Sequence, residues 1–382
     1  MSSLRVVLAL AALALAGVAR AQELPPCAQR PTFVDPPQVN GVLWCLEEVI
    51  QDESAGELAF TALAAAPDGT LYAARPLYGQ VLALTDGDGD GLPESPRIAA
   101  EGLALPNGLV YHDGALYISG GAFIYRLAGD EVEVLVDDLP SGAGFWTGGL
   151  VVGPDGRLYV ATGAPCDYCI PDDPARGAVL SFDLDGGSRR IVATGLRHPG
   201  DVAFLNGALW TTDTARSGLA GEADLDELNR VTPGAFFGWP YCVGADSRPD
   251  WPGDFDCAAS ARPALAFPTH SAPVGLAAYT GDTFPNITQT LLVVLNGSYN
   301  RAALAGFALA VVHFDEAGSP TGYDVILPEQ ADKNNPPGAT LQDLQYRGSG
   351  LWPRRPLDVA VSAEGWIYLS VGGGRILALR PR

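Results

Sequence analysis

Several sites along this 382-residue chain gather side chains able to bind charge or move a proton. Arg197-His198, His270-Ser271 and Arg354-Arg355 each stand immediately ahead of a short apolar run, and Leu105 and Trp146 hold the same place ahead of two others. Guanidinium groups give planar paired bonds to carboxylates and a neutral imidazole accepts a proton, so convergence of these residues would suit an anionic ligand. The competing use is local, with the same cations paired to Asp201 and Asp358. An acidic stretch offers different chemistry. Asp86, Asp88 and Asp90 alternate with glycines, and Glu94 follows. Carboxylates so spaced match the start of a calcium loop, because each can reach one hard cation while glycine permits the bend. Arg97 stands where an EF-hand needs its last Glu, so a full EF-hand is excluded. A solvated acidic turn is the alternative.

The elements that must position these residues show as a repeat. TGGLVVGPDGRLYVAT, Thr147 to Thr162, reads as a strand, a Pro-Asp-Gly turn and a second strand. Related hairpins begin near Thr61, Asn107, Gly200, Val274 and Leu357. One hairpin cannot bury both faces, so copies must stack, and units of about 40 to 50 residues do so radially. The expectation is an all-β, six-bladed β-propeller, with a two-sheet sandwich as the alternative. In a propeller the residues ahead of each inner strand line one mouth of the central channel. A lone strand from Val42 to Ile50 is expected to close the ring against Arg375 to Leu379, which removes exposed edges.

Residues 22–382 carry no charged or Ser-rich linker and are read as this single propeller domain, in keeping with 46 Gly and 31 Pro. Residues 1–21 read as a secretory signal: Arg5, an apolar run from Val6 to Val18, then Ala19-Arg20-Ala21, with cleavage before Gln22. An uncleaved anchor is the alternative; the rest of the chain has no stretch able to span a bilayer. Export to the periplasm or outside the cell follows as an expectation. A formal charge of -21 argues against nucleic acid and anionic membrane as partners. The one lysine, Lys333, makes Schiff-base chemistry an unpromising idea. Six cysteines in an exported chain suggest disulfides. Their order favours the local pairs Cys27–Cys45, Cys166–Cys169 and Cys242–Cys257 among the possible connectivities. Cys166 and Cys169 could instead be redox-active or half a zinc site, but no second such pair or suitably spaced His supports zinc.

The stretch DELNRVTPGAFFGWPYC, Asp226 to Cys242, resembles one found in soluble, quinone-dependent sugar dehydrogenases of the sorbosone and aldose dehydrogenase type. GLRHPGDVAF from Gly195, APVGLAAYTG from Ala272, NGSYNR from Asn296 and RPLDVAV from Arg355 resemble that family's other landmarks, in order, over nearly all the mature chain. The resemblance implies a six-bladed propeller that binds pyrroloquinoline quinone with calcium at the channel mouth. It also implies oxidation of a sugar at a hydroxyl or aldehyde carbon, with an electron acceptor the sequence does not name. Residue by residue, it implies that Arg197 lies at the quinone oxygens, Arg301 and Arg355 near the cofactor's carboxylates, and Asp226 and Glu227 on calcium.

The chain departs from that pattern at the chemistry. The family's general-base His is here Trp146, whose indole only donates. The Asn after the GLR arginine is His198, a Tyr near calcium is Phe237, and the turn expected to offer carbonyls to calcium is Thr214-Ala215-Arg216. Two accounts compete. In one, His198 or His270 takes the proton, with Trp146 as a stacking wall and His270 also close to the cofactor. In the other, the propeller survives as a catalytically impaired ligand-binding or scaffold protein of the envelope. A calcium-dependent lactonase is a weaker third.

Overall fold

The computed structural model describes residues 25–32, 44–52, 56–216, 225–243, 246–247, 255–298, 305–327 and 354–382. The segment 1–21 read as a signal, and Arg301, lie outside them. Six antiparallel sheets make the blades of a β-propeller. The inner two strands of the blades are, in order, Ala62–Ala65 with Leu71–Arg75, Pro106–His112 with Ala115–Gly120, Thr147–Val152 with Arg157–Thr162, Val202–Leu205 with Ala208–Asp213, Pro273–Tyr279 with Thr290–Leu295, and Pro356–Val361 with Ile367–Val371. These are the six hairpins of the repeat. The Pro-Asp-Gly turn of the third blade closes with Gly156 at φ 73, a conformation that other residues adopt only at a cost.

Burial differs between second and outer strands. Thr290–Leu295 is buried at every position, whereas the outer strand Glu131–Val136 is mostly exposed. The apolar core therefore lies between blades: Leu292 and Val294 of the fifth pack with Leu369 and Leu377 of the sixth. Each hairpin buries its faces only against its neighbours, which is why the ring must close.

Closure comes from Trp44–Gln51, paired antiparallel with Arg375–Pro381 so that the chain's start completes its last blade. Beneath this seam lies Glu47, fully buried. Arg380 grips it at 2.7 and 2.8 Å, Arg30 donates at 2.9 Å and Thr32 at 2.8 Å. Burial alone would raise the Glu47 pKa, but the bonds from Arg380, Thr32 and Arg30 outweigh it and hold the carboxyl below its usual range. The Cys27–Cys45 disulfide fastens the same strand; Cys166–Cys169 and Cys242–Cys257 are the other two bridges.

Two carboxylates sit among the inner strands. Asp201 accepts N–H groups from Val202 at 2.7 Å and, across the blade boundary, from Leu276 at 2.8 Å. Asp358 accepts from Leu63 at 2.7 Å and so ties the sixth blade to the first. Gly149 makes room for the first of these, since a side chain there would run into Asp201. Their observed bonds are thus to backbone, where the sequence had left open a pairing with the channel-mouth cations.

Candidate functional site at the channel mouth

A cavity of about 530 Å³ follows the propeller axis and is lined by the inner strands of all six blades. At the end where those strands begin, Glu57, Phe145, Trp146, His198, Asn296 and Arg355 form its rim. The register of the repeat explains the grouping. Each of these residues lies just before an inner strand or just after the strand beside it, and the ring brings those ends together.

Arg355 donates to the carbonyls of Gly297 and Ser298, each at 2.6 Å, and lies 4.8 Å from the Phe307 ring centroid. His198 is half-buried, its backbone N–H bonded to Asp213 at 2.7 Å and its ring stacked on Phe145 with centroids 4.6 Å apart. Exclusion from water, and then the nearby Arg197 charge, push the imidazole down to about 3, so it is neutral at physiological pH.

Arg197 faces elsewhere. It is 3% exposed and borders a narrower cleft shared with Asp213, Arg216, Glu227 and Trp239. Nε donates to Asp167 at 2.9 Å, Nη2 donates to the same oxygen, and Nη1 donates to the Thr214 carbonyl at 2.8 Å. Its guanidinium carbon lies 4.3 Å from the Phe145 centroid, so one phenyl ring carries both Arg197 and His198. Beneath them Asp213 accepts both residues' backbone N–H groups, and burial raises it to about 7.

The remaining candidates separate. His270 occupies a left-handed turn, φ 68, and is not among the residues lining the axial cavity. Asp226 is fully buried and both its oxygens accept backbone N–H groups, from Ala215 at 2.8 Å and Ala272 at 2.7 Å; burial raises it to about 6. Glu227, next along the strand, points to the opposite face and accepts from Asn229 at 3.0 Å. The acidic turn is gathered: ligand oxygens of Asp86, Asp88, Asp90 and Glu94 lie within 4.8 Å of one another. It sits on the first blade, and Arg380 of the ring seam donates to the Asp90 carbonyl at 2.9 Å. Sequence reasoning missed Asp167, Phe145 and Asp213. Only the adjacency of Phe145 to Trp146, and of Asp167 to two cysteines, could have flagged them.

The fold and this rim define a β-propeller with a ligand-sized axial cavity whose mouth presents a fixed cation and an aromatic wall. The sequence profile of the glucose/sorbosone dehydrogenase family matches residues 125–332, and the chain belongs to that family. It is 26% identical over 243 residues to an uncharacterized protein of Borreliella burgdorferi, an alignment that takes in 56% of this chain and 63% of that one; the chain thus spans less than two thirds of the length of this curated relative. Among solved structures it is similar to the holo form of the pyranose dehydrogenase PQQ domain from Coprinopsis cinerea, with 16% identity, coverage of 91% of this chain and 98% of the other, and a TM-score of 0.70. It is also similar to the PQQ-bound aldose sugar dehydrogenase of Streptomyces coelicolor, with 17% identity, 88% and 98% coverage and a TM-score of 0.60. At these identities the structural likeness concerns the fold. Among the described residues no helix is long and apolar enough to cross a membrane.

Proposed function

We propose that the protein is a quinoprotein oxidoreductase that oxidises a sugar or sugar aldehyde with pyrroloquinoline quinone bound at the channel mouth. The observation that carries this is the rim itself, within a family of sugar dehydrogenases: Arg355 of the sixth blade and Trp146 and His198 of the third and fourth line one axial cavity. A flat polycarboxylate fits such a donor set, since the guanidinium takes a carboxylate and the rings take a planar face.

Pyrroloquinoline quinone would supply the acceptor for the substrate's hydride. Arg355, with Arg301 as a second cation, would hold its carboxylates. Trp146 walls the site and keeps water from one side. Arg197 contributes positive charge from behind Phe145, without reaching into the cavity while Asp167 holds it. His198 accepts the substrate's proton. The imidazole is lowered to about 3, chiefly by exclusion from water and then by Arg197, so it is neutral and able to accept a proton but is a weak base.

Calcium is assigned a structural place on Asp86, Asp88, Asp90 and Glu94. Asp226, Glu227 and the Thr214 carbonyl remain the candidate ligands for an ion at the mouth: each Asp226 oxygen and the Thr214 oxygen accepts one bond and keeps a lone pair.

The test is dye reduction by the signal-free protein reconstituted with the cofactor, over a panel of sugars. Turnover that is lost in Arg355→Ala supports the assignment. Cofactor binding without turnover on any sugar points to the impaired-family reading, which Trp146 favours by standing where the family keeps its base.

A further inference from the structure

We propose that Asp167, presented by the Cys166–Cys169 loop, is a positioning residue that holds His198 at the cavity wall through Arg197 and Phe145. Four contacts make a continuous column. The disulfide closes a four-residue loop around Asp167. The Asp167 carboxylate takes the Nε and Nη2 hydrogens of Arg197 on one oxygen, while Arg216 approaches the other at 3.6 Å and lies 4.0 Å from the Tyr168 ring centroid. The Asp167 carbonyl accepts from the Trp239 indole at 3.4 Å. The loop is therefore gripped through side chain, backbone and neighbour alike.

The column then passes into the cavity wall. Arg197 lies against Phe145 at 4.3 Å, Phe145 is anchored by its N–H to the Ala164 carbonyl at 2.9 Å, and its ring carries His198 at 4.6 Å with an interplanar angle of 22°. Asp167 takes both the Nε and Nη2 hydrogen bonds of this buried guanidinium, so it fixes where Arg197 lies and, through Phe145, where the imidazole faces. Nothing in the family landmarks or the proposed chemistry assigns this loop. Its functional consequence rests on His198 being the proton acceptor; the column itself does not.

Histidine C–H resonances test it without cofactor, because the chain has only four histidines. Those of His198, assigned with His198→Gln, are expected upfield of ordinary positions from the Phe145 ring. Asp167→Asn and the double variant Cys166→Ala/Cys169→Ala should both return them toward ordinary positions and leave His112, His270 and His313 in place. Asp167→Glu, which keeps the carboxylate, should retain most of the displacement, a rescue that a merely structural loop would not show. In reconstituted enzyme Asp167→Asn should lower kcat roughly tenfold, as loss of an orienting partner does at other sites. Unchanged His198 resonances in Asp167→Asn would overturn the proposal. If that variant does not fold, unchanged resonances in the cysteine double variant would overturn it equally. Failure to bind the quinone would remove the proposed function and leave the resonance result standing.

Discussion

His198 and Trp146 set the residue-scale question, because the first is an imidazole held neutral and the second an indole where the sequence resemblance implies a general-base His. If His198 takes the proton, His198→Ala saturated with cofactor should lose turnover by a factor of about 100 to 10,000 in single-turnover kinetics. Trp146→His should then bring no gain in rate, whereas a rate that rises with the new imidazole would show that the native site lacks a working base. His198 and Arg355 were legible in the sequence because the repeat itself places them at strand entrances. Arg197 was legible as a cation but not in its direction. Adjacent residues on an extended chain point opposite ways, and which of the two meets the cavity is decided by Phe145 and Asp167. Contacts across some thirty positions or more leave no local pattern to read.

Between elements, the blades are joined by buried carboxylates whose charge is costly. Asp358 is raised to about 7 by burial, and Asp201 is raised by burial and by the proximity of Asp358. A folded-state pKa above the unfolded value of about 3.9 means that the folded protein binds more protons than the unfolded chain in that interval, so these groups withdraw stability as pH rises from about 4 to about 7. His198 works in the opposite sense over pH 3 to 6.5, its charged form being disfavoured in the fold, but it is a single group against the acids. Asp358→Asn, whose amide oxygen can still accept from Leu63, should show a smaller fall in Tm between pH 5 and pH 8 than the native protein in a thermal-shift series. An undiminished fall would assign the pH dependence to other groups. At the ring seam the expectation is larger. Glu47→Ala strands Arg30 and Arg380 in the interior, a loss of roughly 3–5 kcal/mol, and should lower Tm by roughly 4–6 °C by calorimetry. The inner hairpins were readable from Asp-Gly turns and alternating apolar residues. The outer strands were not: Glu131–Val136 alternates Glu with Val, yet Val132 and Val134 are exposed, so the pattern does not report a buried face. Nothing local marked Glu47 as a closure residue; its partners are set by the ring.

As a whole molecule the protein is a closed ring that carries a formal charge of -21, so an acidic turn beside the seam adds repulsion unless a cation is there to offset it. Calcium at millimolar concentration should raise Tm and a chelator reverse the gain, and Asp86→Asn/Asp88→Asn should abolish the response; a Tm indifferent to calcium would leave the turn a solvated loop. The number of blades and the closing strand could be read from the chain because both follow from one repeat and one leftover strand. The occupant of the cavity could not, since it depends on how side chains from six blades meet. The most direct measurement is therefore calorimetric titration of the protein without residues 1–21 with pyrroloquinoline quinone, alongside Arg355→Ala. One-to-one binding that the variant weakens by tenfold or more is the predicted result; heat that is absent, or the same for both proteins, would contradict the assignment of this cavity as a quinone site.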